Sequence, residues 1–196
     1  MRIPPPSRER GVVLIFTLII LLILTIGAVA LVRSMHTSLF SAGNLAFRRD
    51  LVNQGEQAVS NVMTEFKTAI FASSISTQAD NSAANYSSTM LATNVQGVPN
   101  ALLNSTAFGA VGVVGNDITG ATADVSIRYV IDRLCSQTGP SSGAVCVQSS
   151  AAPTGVNAYT NAGLPPPSAT VYRLSVRVSG PRSTQIFLQT TFTKPD

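Results

Sequence analysis

Residues 12–32, VVLIFTLIILLILTIGAVALV, constrain what this 196-residue chain can become: twenty-one positions without a charge, broken only by Thr17, Thr25 and Gly27. As a helix the stretch is roughly 30 Å long, the thickness of a bilayer's hydrocarbon core. A soluble core element rarely needs so many consecutive apolar side chains. Arg2, Arg8 and Arg10 stand ahead of it, offset only by Glu9, and Gly11 follows them. Basic residues flanking a membrane helix stay on the cytoplasmic side, so the expected topology exports everything after Val32. Two processing schemes compete. A signal-peptide cut after Ala30 fits Ala28-Val29-Ala30, but the apolar run is longer than a usual signal core and no turn-former separates it from Ala28. A cut after Gly11 keeps the helix, and the continuing pattern favours it.

With no proline between Pro6 and Pro99, the helical pattern outlasts the apolar run. Leu45, Val52, Val59, Met63, Phe66 and Ile70 recur at helical spacing and predict one apolar face. Arg48, Arg49, Asp50, Asn53, Glu56, Asn61 and Lys67 predict the opposite, polar face. Gly43 and Gly55 each disfavour a helix interior by about 1 kcal/mol and mark a bend or a close contact. The expected element is about 60 residues long, apolar all round and then amphipathic. A discarded signal has no reason to join such a helix in register.

The charge balance excludes little. The net charge of +4 includes three basic residues ahead of residue 12; from there on ten basic residues face eight acidic ones. The part after residue 32 is long enough for one domain with its own core. Cys135 and Cys146 both lie in the exported part and read as one disulfide closing a surface loop. Zinc needs about four ligands, and the sequence's single histidine, His36, lies next to the apolar run.

Residues 72–104 are small, polar and nearly uncharged; they read as a connection with a short helix near 89–95. From Gly109 the period changes to two. A weak strand is expected at 107–114. Val125, Ile127, Tyr129 and Ile131 alternate with Ser126, Arg128 and Asp132 as a half-buried strand. Tyr172, Leu174, Val176 and Val178, then Ile186, Leu188, Thr190 and Phe192, predict a closing hairpin turned at Ser179-Gly180-Pro181-Arg182. The disulfide loop and the Pro/Gly-rich residues 152–168 are expected as a surface excursion. An antiparallel sheet with one apolar face needs cover, and the helix stripe supplies it. The fold class expected is α+β, a long N-terminal helix packed against an antiparallel β-sheet.

A short basic leader ending in glycine, RGVVLIFTLIILLILTIGAVALVRSM and the later helical GEQAV resemble the N-terminal region of PilX-type minor pilins of type IV pili over about residues 10–62. The chain is similar also to the tip pseudopilin of type II secretion, which carries a large helical insertion not seen in this sequence. The terminal YRLSVRVSGPRSTQIFLQTTF resembles the closing hairpin of the same proteins. The resemblance implies a type IV pilin-like fold divided into a leader (1–11), a transmembrane and filament-core helix (12–32), its amphipathic continuation (33–71) and a head (72–196). It implies cleavage between Gly11 and Val12 by a prepilin peptidase, and N-methylation of Val12. Pilins usually carry glutamate at the fifth mature position; here Phe16 stands there. A carboxylate in an apolar core is costly without the N-terminal ammonium of a preceding subunit as partner. A subunit at the tip has no predecessor. The implied role is assembly of a type IV pilus at or near its tip. The partners implied are other minor pilins and the major pilin, with a tip adhesin as a further one. The implied location is the bacterial inner membrane, head in the periplasm, and then the pilus. The alternatives are a type II secretion tip pseudopilin and a plain membrane-anchored periplasmic binding protein.

No cofactor and no enzymatic activity are expected. Gly139-Pro140-Ser141-Ser142-Gly143 fits G-x-S-x-G, but a proline inside a cysteine-closed loop does not make a nucleophile elbow. Gly109, Gly112 and Gly115 miss the dinucleotide-binding spacing and are expected at strand bulges. Asp117, Asp124 and Asp132 lack the alternating oxygen ligands of a calcium loop and are expected along a solvated strand edge. Arg173, Arg177, Arg182 and Lys194 raise nucleic acid as a partner. Only the first two share a strand face, without aromatic stacking, so that reading is set aside.

Overall fold

The computed structural model describes residues 10–68, 71–73, 75–122, 124–142, 145–150 and 168–195. The chain divides into two units, Met1–Phe47 and Arg48–Asp196. Helix α1 runs from Arg10 to Thr68, 59 residues. In the first unit its side chains face outward: Thr17 and Thr25 turn their hydroxyls back onto Leu14 O (2.9 Å) and Leu22 O (2.8 Å), leaving no unpaired side-chain donor in the apolar run.

In the second unit α1 packs on a sheet, with a different face from the one the stripe predicts. Phe66 is buried, Val52, Val59 and Met63 are half-buried, Leu45 is exposed, and Ile70 lies outside the described residues. The buried line is Leu51, Gln54, Gly55, Ala58, Val62 and Phe66. It is displaced by one residue over much of its length, about 100° around the axis. Close approach requires this. A Cβ on Gly55 would lie 2.4 Å from Leu188 Cδ1 and 2.9 Å from Val178 Cγ2, so only a residue without a side chain fits there, and the valines flank the contact. Gly55 is thus the close contact expected of a helix glycine, whereas Gly43 has open space around it. The predicted polar face is exposed throughout.

Six strands occur among the described residues: β1 Tyr86–Ser87, β2 Ile118–Thr119, β3 Ser126–Arg133, β4 Gln148–Ser150, β5 Ser168–Ser179 and β6 Gln185–Pro195. β5 pairs antiparallel with β3 from Ser126↔Ser179 to Arg133↔Tyr172, and with β6 along its other edge. The β5–β6 hairpin is the predicted one. On the far edge of β3 lie antiparallel β2 and, at the other end, parallel β1 with Tyr86 opposite Ile131. The sheet is therefore mixed, dominated by antiparallel pairs. Its helix-facing side carries Ile127, Tyr129 and Ile131 of β3 beside Val178, Val176 and Leu174 of β5. At the end of α1, Phe66 stacks on Phe71 (4.6 Å between ring centres) and meets Tyr172 and Phe192 edge-on at 5.2 and 4.9 Å.

The strand expected to be half-buried is buried on both faces. Val130 and Asp132 point away from α1 and are fully covered. The cover comes from the end of the polar connection and the residues just after it, through helices α2 (Asn100–Leu103) and α3 (Ser105–Gly109). Ala101, Leu102 and Phe108 form a second core with Val130, edged by Leu91, Val98, Val111 and Phe187. Three expectations are corrected here. The short helix falls at 100–103, not 89–95. Residues 107–114 are not a strand, because Asn104 caps α3 by accepting from Thr106 N at 2.7 Å and Phe108 anchors the helix in this core. The three glycines are not at bulges: Gly109 ends α3, Gly115 lies in the 3-10 turn Val114–Asn116, and Gly112 packs where a Cβ would meet Asn85 Oδ1 at 2.5 Å.

Cys135 and Cys146 are bonded (S–S 2.06 Å), as the sequence predicts. The disulfide sits where β5 changes partners. β3 ends opposite Tyr172 and β4 begins opposite Thr170, while Leu134 N donates to Val171 O (3.0 Å) and Val171 N to Val147 O (3.0 Å). The bond closes a loop pinched out of one edge without interrupting the ladder along β5. Of the predicted excursion at 152–168, residues 152–167 lie outside the described residues and Ser168 begins β5.

Candidate functional site

The most constrained surface is the one left uncovered. Within residues 12–32, sixteen large apolar side chains are exposed, from Val12 (57 %) to Val32 (53 %). Even at ~1.5 kcal/mol per side chain, burying them is worth roughly 25 kcal/mol, more than the whole 5–15 kcal/mol stability of a typical domain. Such a surface needs an apolar surrounding. α1 is long and apolar enough to cross a membrane, and it lies near the N-terminus.

Of the residues singled out at the expected processing site, Gly11 lies in the first turn of α1 with nothing within 4 Å of a Cβ built on it. Val12 follows in the same turn, and Phe16, 60 % exposed, stands on the apolar surface like its neighbours. No polar side chain takes the place of the missing glutamate there; Thr17, the next residue, is satisfied by its own backbone. His36 belongs to the first unit.

Two aspartates and three arginines of the head are engaged inside it. Asp132 is fully buried and holds Arg173 through Oδ2 at 2.5 Å and Oδ1 at 2.9 Å. Leu91 clasps this pair, donating its N–H to Asp132 Oδ2 and accepting from Arg173 Nη2. Asp117 binds Arg128 in two-point fashion, which raises the guanidinium's pKa, and Arg128 lies over the Phe108 ring at 4.3 Å. Arg177, directly across from Arg128, donates to Leu102 O; burial and then Arg128 lower its pKa. The solvated edge expected for Asp117 and Asp132 is thereby corrected: both carboxylates neutralise arginines beneath the α2–α3 cover. The strand face that Arg173 and Arg177 share is this same covered face, with Arg173 on Asp132 and Arg177 on Leu102 O. Among the described residues no three His, Cys, Asp or Glu side chains group to hold a metal.

The loop holding the G-x-S-x-G match is organised by Arg133. This buried residue donates from Nη1 to Gly139 O (2.7 Å), and Gly139 N donates to Gln78 O (2.8 Å). Gly139 takes φ +102°, open to glycine and strained for other residues. Gly143 lies outside the described residues. Beside this loop Tyr86 donates its hydroxyl to Thr77 O (2.7 Å), and burial, with Tyr172 adding to it, raises its phenol above the ordinary range.

The sequence reading missed a cleft of about 160 Å³ in the head, lined among others by Glu65, Tyr129 and Asn116. Glu65 adjoins Phe66 at the edge of the buried line, and Tyr129 alternates inward on β3; nothing in either spacing joins the two. Burial, and then the Glu65 carboxylate, raise the Tyr129 phenol.

Compared with known proteins, the chain matches no family model, no curated protein and no solved structure.

Proposed function

We propose that the chain is a minor pilin that takes part in priming a type IV pilus, at or near the tip. In this reading the prepilin peptidase cuts between Gly11 and Val12, and Val12 is methylated. The helix then waits in the inner membrane with the N-terminus cytoplasmic and the head outside. Assembly transfers its apolar surface from lipid to like helices of other minor pilins and the major pilin, in head-to-tail contacts. Without a carboxylate at Phe16 the subunit needs no predecessor's ammonium, which suits the first position of a filament.

One observation carries the reading: the exposed apolar run and the core of the head share a single helix, Arg10–Thr68. That continuity supports a retained helix. A signal-peptidase cut after Ala30 would fall inside it, whereas Gly11 is in its first turn. Intact-mass measurement of the membrane- or pilus-associated protein tests this. The expected mature chain begins at Val12, with a methyl group, and Gly11→Leu leaves a precursor eleven residues longer. A mature chain beginning at Leu31, or processing indifferent to Gly11→Leu, refutes the proposal.

A further inference from the structure

The cleft beside Glu65 has a distinct chemistry. Its inner wall is apolar, with Phe66, Phe71 and Ile131 lining it, and its outer wall includes Ala83 and Ala84. The polar groups at the cleft are the Glu65 carboxylate, the Asn116 amide and the Tyr129 hydroxyl, which both donates and accepts. Glu65 is exposed and enters no hydrogen bond or ion pair with a described residue, and the Tyr129 hydroxyl likewise makes no hydrogen bond there. Asn116 uses its amide nitrogen on Ala83 O (2.8 Å) and Asn85 Oδ1 (3.0 Å), so its side-chain oxygen is what remains to offer.

Among the described residues no cation is seen paired with this set: Arg133, on the same face of β3 as Tyr129, donates to Gly139 O, and Lys194 to Ser73 O. Arg128, Arg173 and Arg177 lie on the opposite side of the sheet, engaged as described. Lys67 is two residues beyond Glu65 on α1, a spacing at which helical side chains do not face each other. The complement is a single positive charge with several donors on an apolar stem. An ammonium carries three donors, and a lysine stem lies along apolar surface while its head reaches polar groups. Arginine's planar fork seeks a carboxylate it can grip at two points, in a broader site.

We infer that the cleft receives a lysine side chain of a partner protein, its ammonium on Glu65 and its stem against Phe66 and Phe71. This holds whether or not the minor-pilin reading does. The raised Tyr129 phenol stays protonated at neutral pH and so adds no second negative charge.

The test uses the full chain in detergent micelles with labelled alanine methyls, following Ala83 and Ala84 by NMR. The probes are N-acetyl-lysine N-methylamide and its norleucine and arginine counterparts. The lysine probe is expected to shift both methyls saturably and to bind about tenfold tighter than norleucine, equivalent to about 1.4 kcal/mol. Glu65→Gln, a change at an exposed position, is expected to abolish that preference and leave norleucine binding unchanged. Four outcomes would overturn the inference: no shift at either methyl, equal binding of lysine and norleucine, a preference that survives Glu65→Gln, or tighter binding of arginine.

Discussion

Gly55 is where the head can be tested most sharply, because two opposing effects meet at one atom. Gly55→Ala in a helix interior gains about 1 kcal/mol of intrinsic propensity. The added methyl, however, arrives 2.4 Å from Leu188 Cδ1 and 2.9 Å from Val178 Cγ2, where carbon atoms prefer about 3.5–4.0 Å. Leu188 is half-buried and can swing its terminal methyl aside; Val178 is fully buried and β-branched, with little rotamer freedom. Overpacking of this kind costs about 1–3 kcal/mol. With the stiff valine also to be displaced, the upper part of that range applies and the overlap wins. The expected net loss is about 1–2 kcal/mol, a fall in Tm of about 2–8 °C for a domain of this size, read by near-ultraviolet circular dichroism of the head's tyrosines in micelles. Gly109→Ala, with nothing within 4 Å, should stay within about 0.5 kcal/mol of the parent. Adding Leu188→Ala to Gly55→Ala should cost less than the sum of the two changes, because the pair shares one volume. A Gly55→Ala protein as stable as the parent would refute the close-approach argument and with it the placement of α1.

Asp132→Asn leaves Arg173 charged and buried without its partner, so urea unfolding should show a loss of about 3–5 kcal/mol; the double change Asp132→Leu with Arg173→Met should recover most of it, and a single-variant loss under about 1 kcal/mol would contradict the buried pair. Tyr86 and Tyr129 both have phenols raised in the folded state. Their contribution is complete below the unfolded value and is lost as pH rises past it, so stability should fall above pH ~10 by up to about 1.4 kcal/mol per pH unit for each. Tyr86→Phe should make that fall shallower, measured as urea midpoints from pH 9 to 11.

Periodicity and composition by themselves determined the elements whose signal is local. The 12–32 run, the uninterrupted helix, the β3, β5 and β6 strands and the Cys135–Cys146 pair follow from side-chain alternation, absence of proline and cysteine count. Each of these properties is written within a few residues of where it acts. What only the tertiary structure decided is how surfaces meet. The helix turned Gly55 and Ala58, not Val52 and Val59, toward the sheet, because the distance between two packed backbones is set by the smallest residues at the contact. The end of the polar connection and the residues just after it folded into α2 and α3 over a sheet face that alternation assigns to water. That burial became tolerable once Asp117 and Asp132 met Arg128 and Arg173, partners 11 and 41 residues away in the chain. The Glu65–Tyr129 cleft likewise joins a helix to a strand 64 positions on. Charge compensation and cavity shape depend on distances through space, and a linear pattern carries no record of those.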